Sequence, residues 1–198
     1  MENQIYYVPS SGILGIRTNV SEFKWSNGIT MPPAGQRDYD NCIVKLTLHI
    51  VPSAFYSSRD EDRFGKYHYF TGRQGRDELF YQRPFLFNSQ LQLRARGLVA
   101  GQPEILANRT YFRFVKHRFM NLHSVAYIMT DLASALLLKR DYSPLHCSAF
   151  RSGPATVVVL APPNTGKTLS TMMACLQYDA DFIGEDLAIT DGEMIYSV

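Results

Sequence analysis

The feature that most constrains this chain is a turn set between a strand and a helix. Residues 161–168 read Ala161, Pro162, Pro163, Asn164, Thr165, Gly166, Lys167 and Thr168. Just before them, Thr156, Val157, Val158, Val159 and Leu160 form a β-branched apolar run, expected to be a buried strand. Just after them, residues 169–177 read as a helix. Strand, turn and helix around Gly-Lys-Thr are the parts of a Walker A phosphate cradle. Amides at a helix start face an anion, and the helix dipole adds partial positive charge there. Lys167 is expected to neutralise the terminal phosphates, and the Thr168 hydroxyl to hold a Mg²⁺ ion. Ala161 stands where the usual pattern has its first glycine. Pro162 and Pro163 have no N–H, so the cradle must draw on the amides of residues 164–168. ATP with magnesium is the expected ligand; GTP and pyrophosphate satisfy the same chemistry.

The segment after the helix sharpens this reading. Residues 178–180 read as a short turn and 181–189 as a return strand. A helix over 167–177 is about 16 Å long. A right-handed crossover lays the second strand parallel beside the first. Glu185 and Asp186 then come level with the turn, at the carboxyl edge where open α/β sheets bind ligands. Beside a metal and a phosphate chain, one carboxylate can hold the metal, directly or through water. The other can accept a proton from an attacking hydroxyl. The bland alternative is an acidic strand end that is only solvated.

Leu145, His146, Cys147, Ser148 and Ala149, the strand into the Ala-Pro-Pro turn, and Gly184, Glu185, Asp186 and Leu187 together carry a family likeness. They resemble the catalytic core of HPr kinase/phosphorylase-like proteins, nearest to the bacterial HPr-kinase-related group. That core shares its architecture with ATP-type phosphoenolpyruvate carboxykinases. The likeness covers residues 110–195 well and the first hundred only loosely. It implies nucleotide binding by residues 161–168, catalytic roles for Lys167, Glu185, Asp186 and His146, and a metal held by Thr168 and Asp186. Two departures stand out. The family's usual first acid is Asp, where this chain has Glu185, one methylene longer, so base and metal partner are not fixed by the likeness. The family core also continues well past the acidic pair, whereas this sequence stops at Val198.

With 45% hydrophobic and 19% charged residues the balance is that of a globular chain with a sizeable core. A net charge of +2 gives no electrostatic case for nucleic acid or an anionic membrane as partner. Cys42, Cys147 and Cys175 have neither disulfide nor metal spacing and read as buried thiols of a cytoplasmic protein. The first thirty residues carry no export signal, and no run reaches the roughly 20 apolar residues that span a bilayer.

Residues 5–8 and 13–17 flank a turn and predict a hairpin; 28–40 reads as a loop. Residues 41–51 alternate Val44, Leu46, Leu48 and Ile50 with Lys45, Thr47 and His49, predicting one buried and one wet face, His49 on the wet one. Residues 57–63 read as a charged loop. Aromatic segments at 66–70, 78–82, 85–87 and 90–96 suggest an antiparallel sheet; without a basic stripe they do not argue for base stacking. Arg94 and Arg96 share a face and could meet phosphate or carboxylate. Residues 109–114 read as another strand and 118–138 as an amphipathic helix largely covered by protein, with His117 and His123 structural. Residues 145–150 read as the strand before 156–160, joined to it tightly enough for an antiparallel pair. His146 then lies near the ligand edge or far from it, according to strand direction. Residues 190–193 signal a last hairpin.

The expected architecture is α/β: a β-rich region over 1–108, then the start of a P-loop-containing HPr-kinase/PEP-carboxykinase-like core over 109–198, truncated at the C-terminus. The expected activity is transfer of the γ-phosphoryl group of ATP to a hydroxyl, a serine on a protein or peptide. Asp186 takes the metal or its water, and Glu185 the incoming hydroxyl. No basic residue follows the acidic pair to hold transition-state charge. A partner subunit of a homo-oligomer, arginines of the N-terminal half, or a continuation beyond a fragment would supply it; the fragment is favoured. Nucleotide hydrolysis without an acceptor, and a non-catalytic regulatory or scaffold domain, are the alternatives.

Overall fold

The computed structural model describes residues 4–10, 12–21, 31–52, 61–63, 68–71, 78–85, 89–116, 125–162 and 164–198. The chain is mixed α/β and strand-rich. It divides into two compact units, Met1–Leu136 and Leu137–Val198. The 108/109 boundary read from sequence falls inside the first.

The first unit is built on one sheet. Its strands are β1 (Ile5–Ser10), β2 (Leu14–Thr18), β3 (Val44–Val51), β4 (Glu61–Arg63), β5 (His68–Thr71), β6 (Glu78–Pro84), β7 (Gln90–Arg96) and β8 (Glu104–Asn108). They lie in the order β1-β2-β3-β8-β7-β6-β5-β4. The β1–β2 hairpin and the antiparallel run from β5 to β7 agree with the sequence pattern, whereas residues 61–63, read as part of a charged loop, form strand β4 and pair with β5. The sheet as a whole is mixed, because β3 pairs parallel with both β2 and β8. Parallel neighbours need a crossover, and the one between β2 and β3 contains α1 (Gln36–Asp40) where the sequence suggested only loop.

Register explains the core. Thr18, Leu48, Ile105 and Ala95 sit side by side across four strands, and all are buried. The opposite row runs Tyr6, Arg17, Thr47, Glu104 and Arg96. That face is less wet than expected: Thr47 is buried and accepts a 3.2 Å hydrogen bond from Arg17, and His49 is half-buried. Arg94 pairs with Glu78 at 3.0 Å and Arg96 with Glu104, so both arginines meet carboxylates of their own sheet.

Residues 109–114 are not a strand. They lie in helix α2 (Arg109–Lys116). Asn108 opens it: its Oδ1 accepts from the Tyr111 amide at 3.0 Å, the bond an N-cap makes three residues on. Tyr111 is buried edge-on to Tyr81, ring centres 5.9 Å apart. Helix α3 (Val125–Leu138) buries Met129, Ala133, Leu136 and Leu137. Its end is not covered all round, since Leu138 is 59% exposed. His117, His123, residues 57–60 and 86–88, and Pro163 lie outside the described residues. No helix among the described residues is long and apolar enough to cross a membrane.

The second unit contains β9 (Ser143–Leu145), β10 (Ser148–Ser152), β11 (Ala155–Val159), α4 (Lys167–Tyr178), β12 (Asp181–Glu185), β13 (Ala188–Thr190) and β14 (Ile195–Ser197). They form two three-stranded sheets, β11-β10-β12 and β14-β13-β9. Three expectations need correction. The strand before the turn, β11, is an edge strand and is largely exposed, Val157 included. The return strand β12 does not lie beside it. Both are antiparallel to β10, hence parallel to each other, but β10 is inserted between them. Finally, the single strands expected over 145–150 and 181–189 are each broken in two. Leu145 pairs with Ala188 in one sheet, and Ser148 with Glu185 in the other. Residues 146–147 and 186–187 are therefore the passages by which both strands change sheet at the same level.

Candidate functional site

The turn between β11 and α4 is shaped by backbone geometry that few residues adopt. Gly166 is the N-cap of α4 and has φ 93°, in the left-handed region where a Cβ is disfavoured. Asn164, with φ 61°, belongs to the residue types that tolerate that region best. The Thr165 hydroxyl donates to the Pro162 carbonyl at 2.6 Å and ties the turn across its base. The first helical bond runs from the Ser170 amide to the Gly166 carbonyl at 2.9 Å. The amides of residues 167–169 are thus the unspent donors of the helix end.

Lys167 and Thr171, one helical turn apart, form the buried face of α4. Lys167 keeps its charge inside by folding back on the turn. Its Nζ donates to the Ala161 carbonyl at 2.8 Å and to the Pro162 carbonyl at 3.2 Å. Burial pushes the Cys147 thiol up from its ordinary value, while the nearby Lys167 ammonium pulls it the other way. Cys42 and Cys147 are buried as expected; Cys175 is only half-buried. The outer face of α4 carries Leu169, Met172, Met173 and Leu176, all exposed.

The acidic pair comes to the same end of the sheet. Glu185 closes β12, and its carboxylate accepts a hydrogen bond from the Thr168 hydroxyl. Asp186 is turned out of the strand. Its φ is 64°, and the Leu187 amide bonds the Glu185 carbonyl at 2.8 Å, a γ-turn in its rare, strained sense. Strain of this kind persists where surrounding structure over-determines it. Here the opposite passage contributes: His146 Nδ1 lies 2.8 Å from the Asp186 carbonyl oxygen. A carbonyl only accepts, so Nδ1 carries the hydrogen and Nε2 is the basic nitrogen of this exposed ring.

Strand direction, open in the sequence, thus brings His146 to the edge shared by Thr168, Glu185 and Asp186. It does so from a passage between strands, not from within one. Among the described residues no group of three or more His, Cys, Asp or Glu side chains is arranged to hold a metal ion. Magnesium needs fewer: it commonly takes one or two protein oxygens and completes its octahedron with phosphate and water. A hydroxyl and a carboxylate in mutual contact, Thr168 and Glu185, fit that demand. Sequence reasoning missed the Lys167 latch on the Ala161 and Pro162 carbonyls and the turn at Asp186. Asp is one of the few residues that enter the left-handed region, but its identity alone signals no turn.

No family model, curated protein or solved structure matches the chain.

Proposed function

We propose that the second unit is a P-loop nucleotide-binding unit of the HPr-kinase-like kind. It binds the phosphates of a nucleoside triphosphate at residues 161–168 and passes the terminal phosphoryl group to a hydroxyl, a serine on a protein or peptide. The observation that carries this reading is the meeting of Lys167, Thr168, Glu185 and His146 at one end of a small sheet. The amides at the start of α4 receive phosphate oxygens. Lys167 leaves the turn carbonyls and places its ammonium against the outer phosphates, where catalysis rests on positioning and charge. A bound magnesium ion supplies further neutralisation of the phosphate charge. The Thr168 hydroxyl and one carboxylate hold that ion. The remaining basic groups at this edge, a carboxylate and His146 Nε2, stand ready to accept the proton of the incoming hydroxyl.

Incubation with magnesium and γ-labelled ATP tests this. Label is expected on a protein acceptor, with ADP formed only when that acceptor is present. ADP without acceptor identifies a hydrolase. Binding without turnover, unchanged by Glu185→Gln, identifies a regulatory domain.

A further inference from the structure

We infer that Glu185, and not Asp186, is the carboxylate that shares the magnesium ion with Thr168. This reverses the expectation that Asp186 takes the metal and Glu185 the incoming hydroxyl, and it rests on the nucleotide-binding reading above.

The Thr168 hydroxyl and the Glu185 carboxylate are already in contact. On an octahedral ion with metal–oxygen distances of about 2.0–2.1 Å, neighbouring ligand oxygens lie about 2.9 Å apart. The hydroxyl and the carboxylate stand closer than that, and a small separation turns them into two adjacent ligands. The hydroxyl keeps its hydrogen as this happens, because it has lone pairs to offer the metal while still donating. No bond is made or broken in the protein. The extra methylene of Glu over Asp suits the task, since the side chain reaches from the last residue of β12 to the first turn of α4.

Asp186 is engaged differently. The γ-turn takes it out of line with β12, so the two acids do not follow each other along a strand. Its carbonyl is the fixed acceptor for His146 Nδ1. Asp186 and His146 therefore form one group at the sheet passages, while Glu185 and Thr168 form another at the helix start. The second group belongs with the metal, and the first is left to handle the proton.

The test is equilibrium binding of a non-hydrolysable ATP analogue to the full chain, with and without magnesium chloride. Wild type, Glu185→Gln and Asp186→Asn are compared. Both substitutions keep size and an oxygen acceptor, and thermal unfolding checks that each variant is folded. Magnesium is expected to tighten wild-type binding by roughly tenfold or more. Glu185→Gln loses that tightening, Asp186→Asn keeps it, and Glu185→Asp recovers part of it. Binding of Mn²⁺ in the presence of the analogue, followed by electron paramagnetic resonance, should weaken in the same order. Loss of tightening in Asp186→Asn with retention in Glu185→Gln overturns the assignment, as does equal loss in both. Failure of wild type to bind the analogue at all overturns the nucleotide reading itself.

Discussion

The Lys167 ammonium donates to the Ala161 carbonyl 2.8 Å away, so the chain closes its own loop with the charge proposed to bind phosphate. A ligand must draw that ammonium off two carbonyls, and the helix-end amides must offset the loss. Lys167→Met keeps length and removes charge. It should weaken nucleotide binding by roughly 1.5–3 kcal/mol, or about 10- to 150-fold. Fluorescence titration with a labelled nucleotide reads this directly. An unchanged affinity would mean the lysine only braces the turn.

Gly15 lies under α1. A Cβ there would stand 2.8 Å from Tyr39 Cδ2 and 3.1 Å from Cys42 Sγ, and both those side chains are buried. Gly15→Ala should therefore cost about 1–3 kcal/mol by overpacking. The midpoint of urea unfolding should fall with little change in slope. Adding Tyr39→Ala should recover part of the Gly15→Ala cost in a double-mutant cycle.

Asn108 does three things from a buried position. Its Oδ1 accepts from the amides of Tyr111 at 3.0 Å and Gln92 at 3.2 Å, and its Nδ2 donates to the Gln90 carbonyl at 2.7 Å. Asn108→Ala removes the cap and strands buried backbone groups, for about 2–4 kcal/mol in total. Asn108→Asp keeps the cap but loses the Nδ2 donor, and should fall between the two. Chemical denaturation ranks them; equal stability of Ala and wild type would remove the cap as the cause of α2.

The last hairpin should loosen at both extremes of pH. The Tyr196 hydroxyl donates to Asp191 at 2.6 Å, with the Met194 and Glu193 amides adding to it, and the Asp191 pKa is lowered to about 2. Asp191 in turn pushes Tyr196 up to about 12. The depressed carboxyl contributes its stability above the ordinary value of about 3.9 and loses it as pH falls towards 2. The raised phenol contributes below about 10 and loses it as pH rises through 12. Solvent screening keeps either effect on global stability small. NMR titration of the Asp191 carboxyl and the Tyr196 ring should show both shifts, and Asp191→Asn should return the tyrosine to its ordinary range.

Much of the first sheet was legible because its strands alternate: Val44, Leu46 and Leu48 are buried as that period predicts. Residues 109–114 alternate too, yet form a helix. Two-residue and four-residue spacings coincide in so short a run, and the deciding signal was Asn108, a good N-cap standing just before it. The burial of β11 was misread because a run of valines fits a central strand and an edge strand alike. Which neighbour a strand takes is set by chain crossings that local pattern does not encode; the insertion of β10 between β11 and β12 is a case. The candidate site was legible as residue types. What the sequence could not carry was contact: that Thr168 would meet Glu185, and His146 the backbone of Asp186.

The paired passages at residues 146–147 and 186–187 crease the second unit along one line, with its two small sheets as the leaves. Glu185 stands at the edge of that crease, and the His146–Asp186 bond is its pin. Glu185, paired with Ser148, and Thr168, at the start of the helix packed on β10 and β12, stand on the same leaf, so their contact is fixed within that leaf and not by the angle between the two.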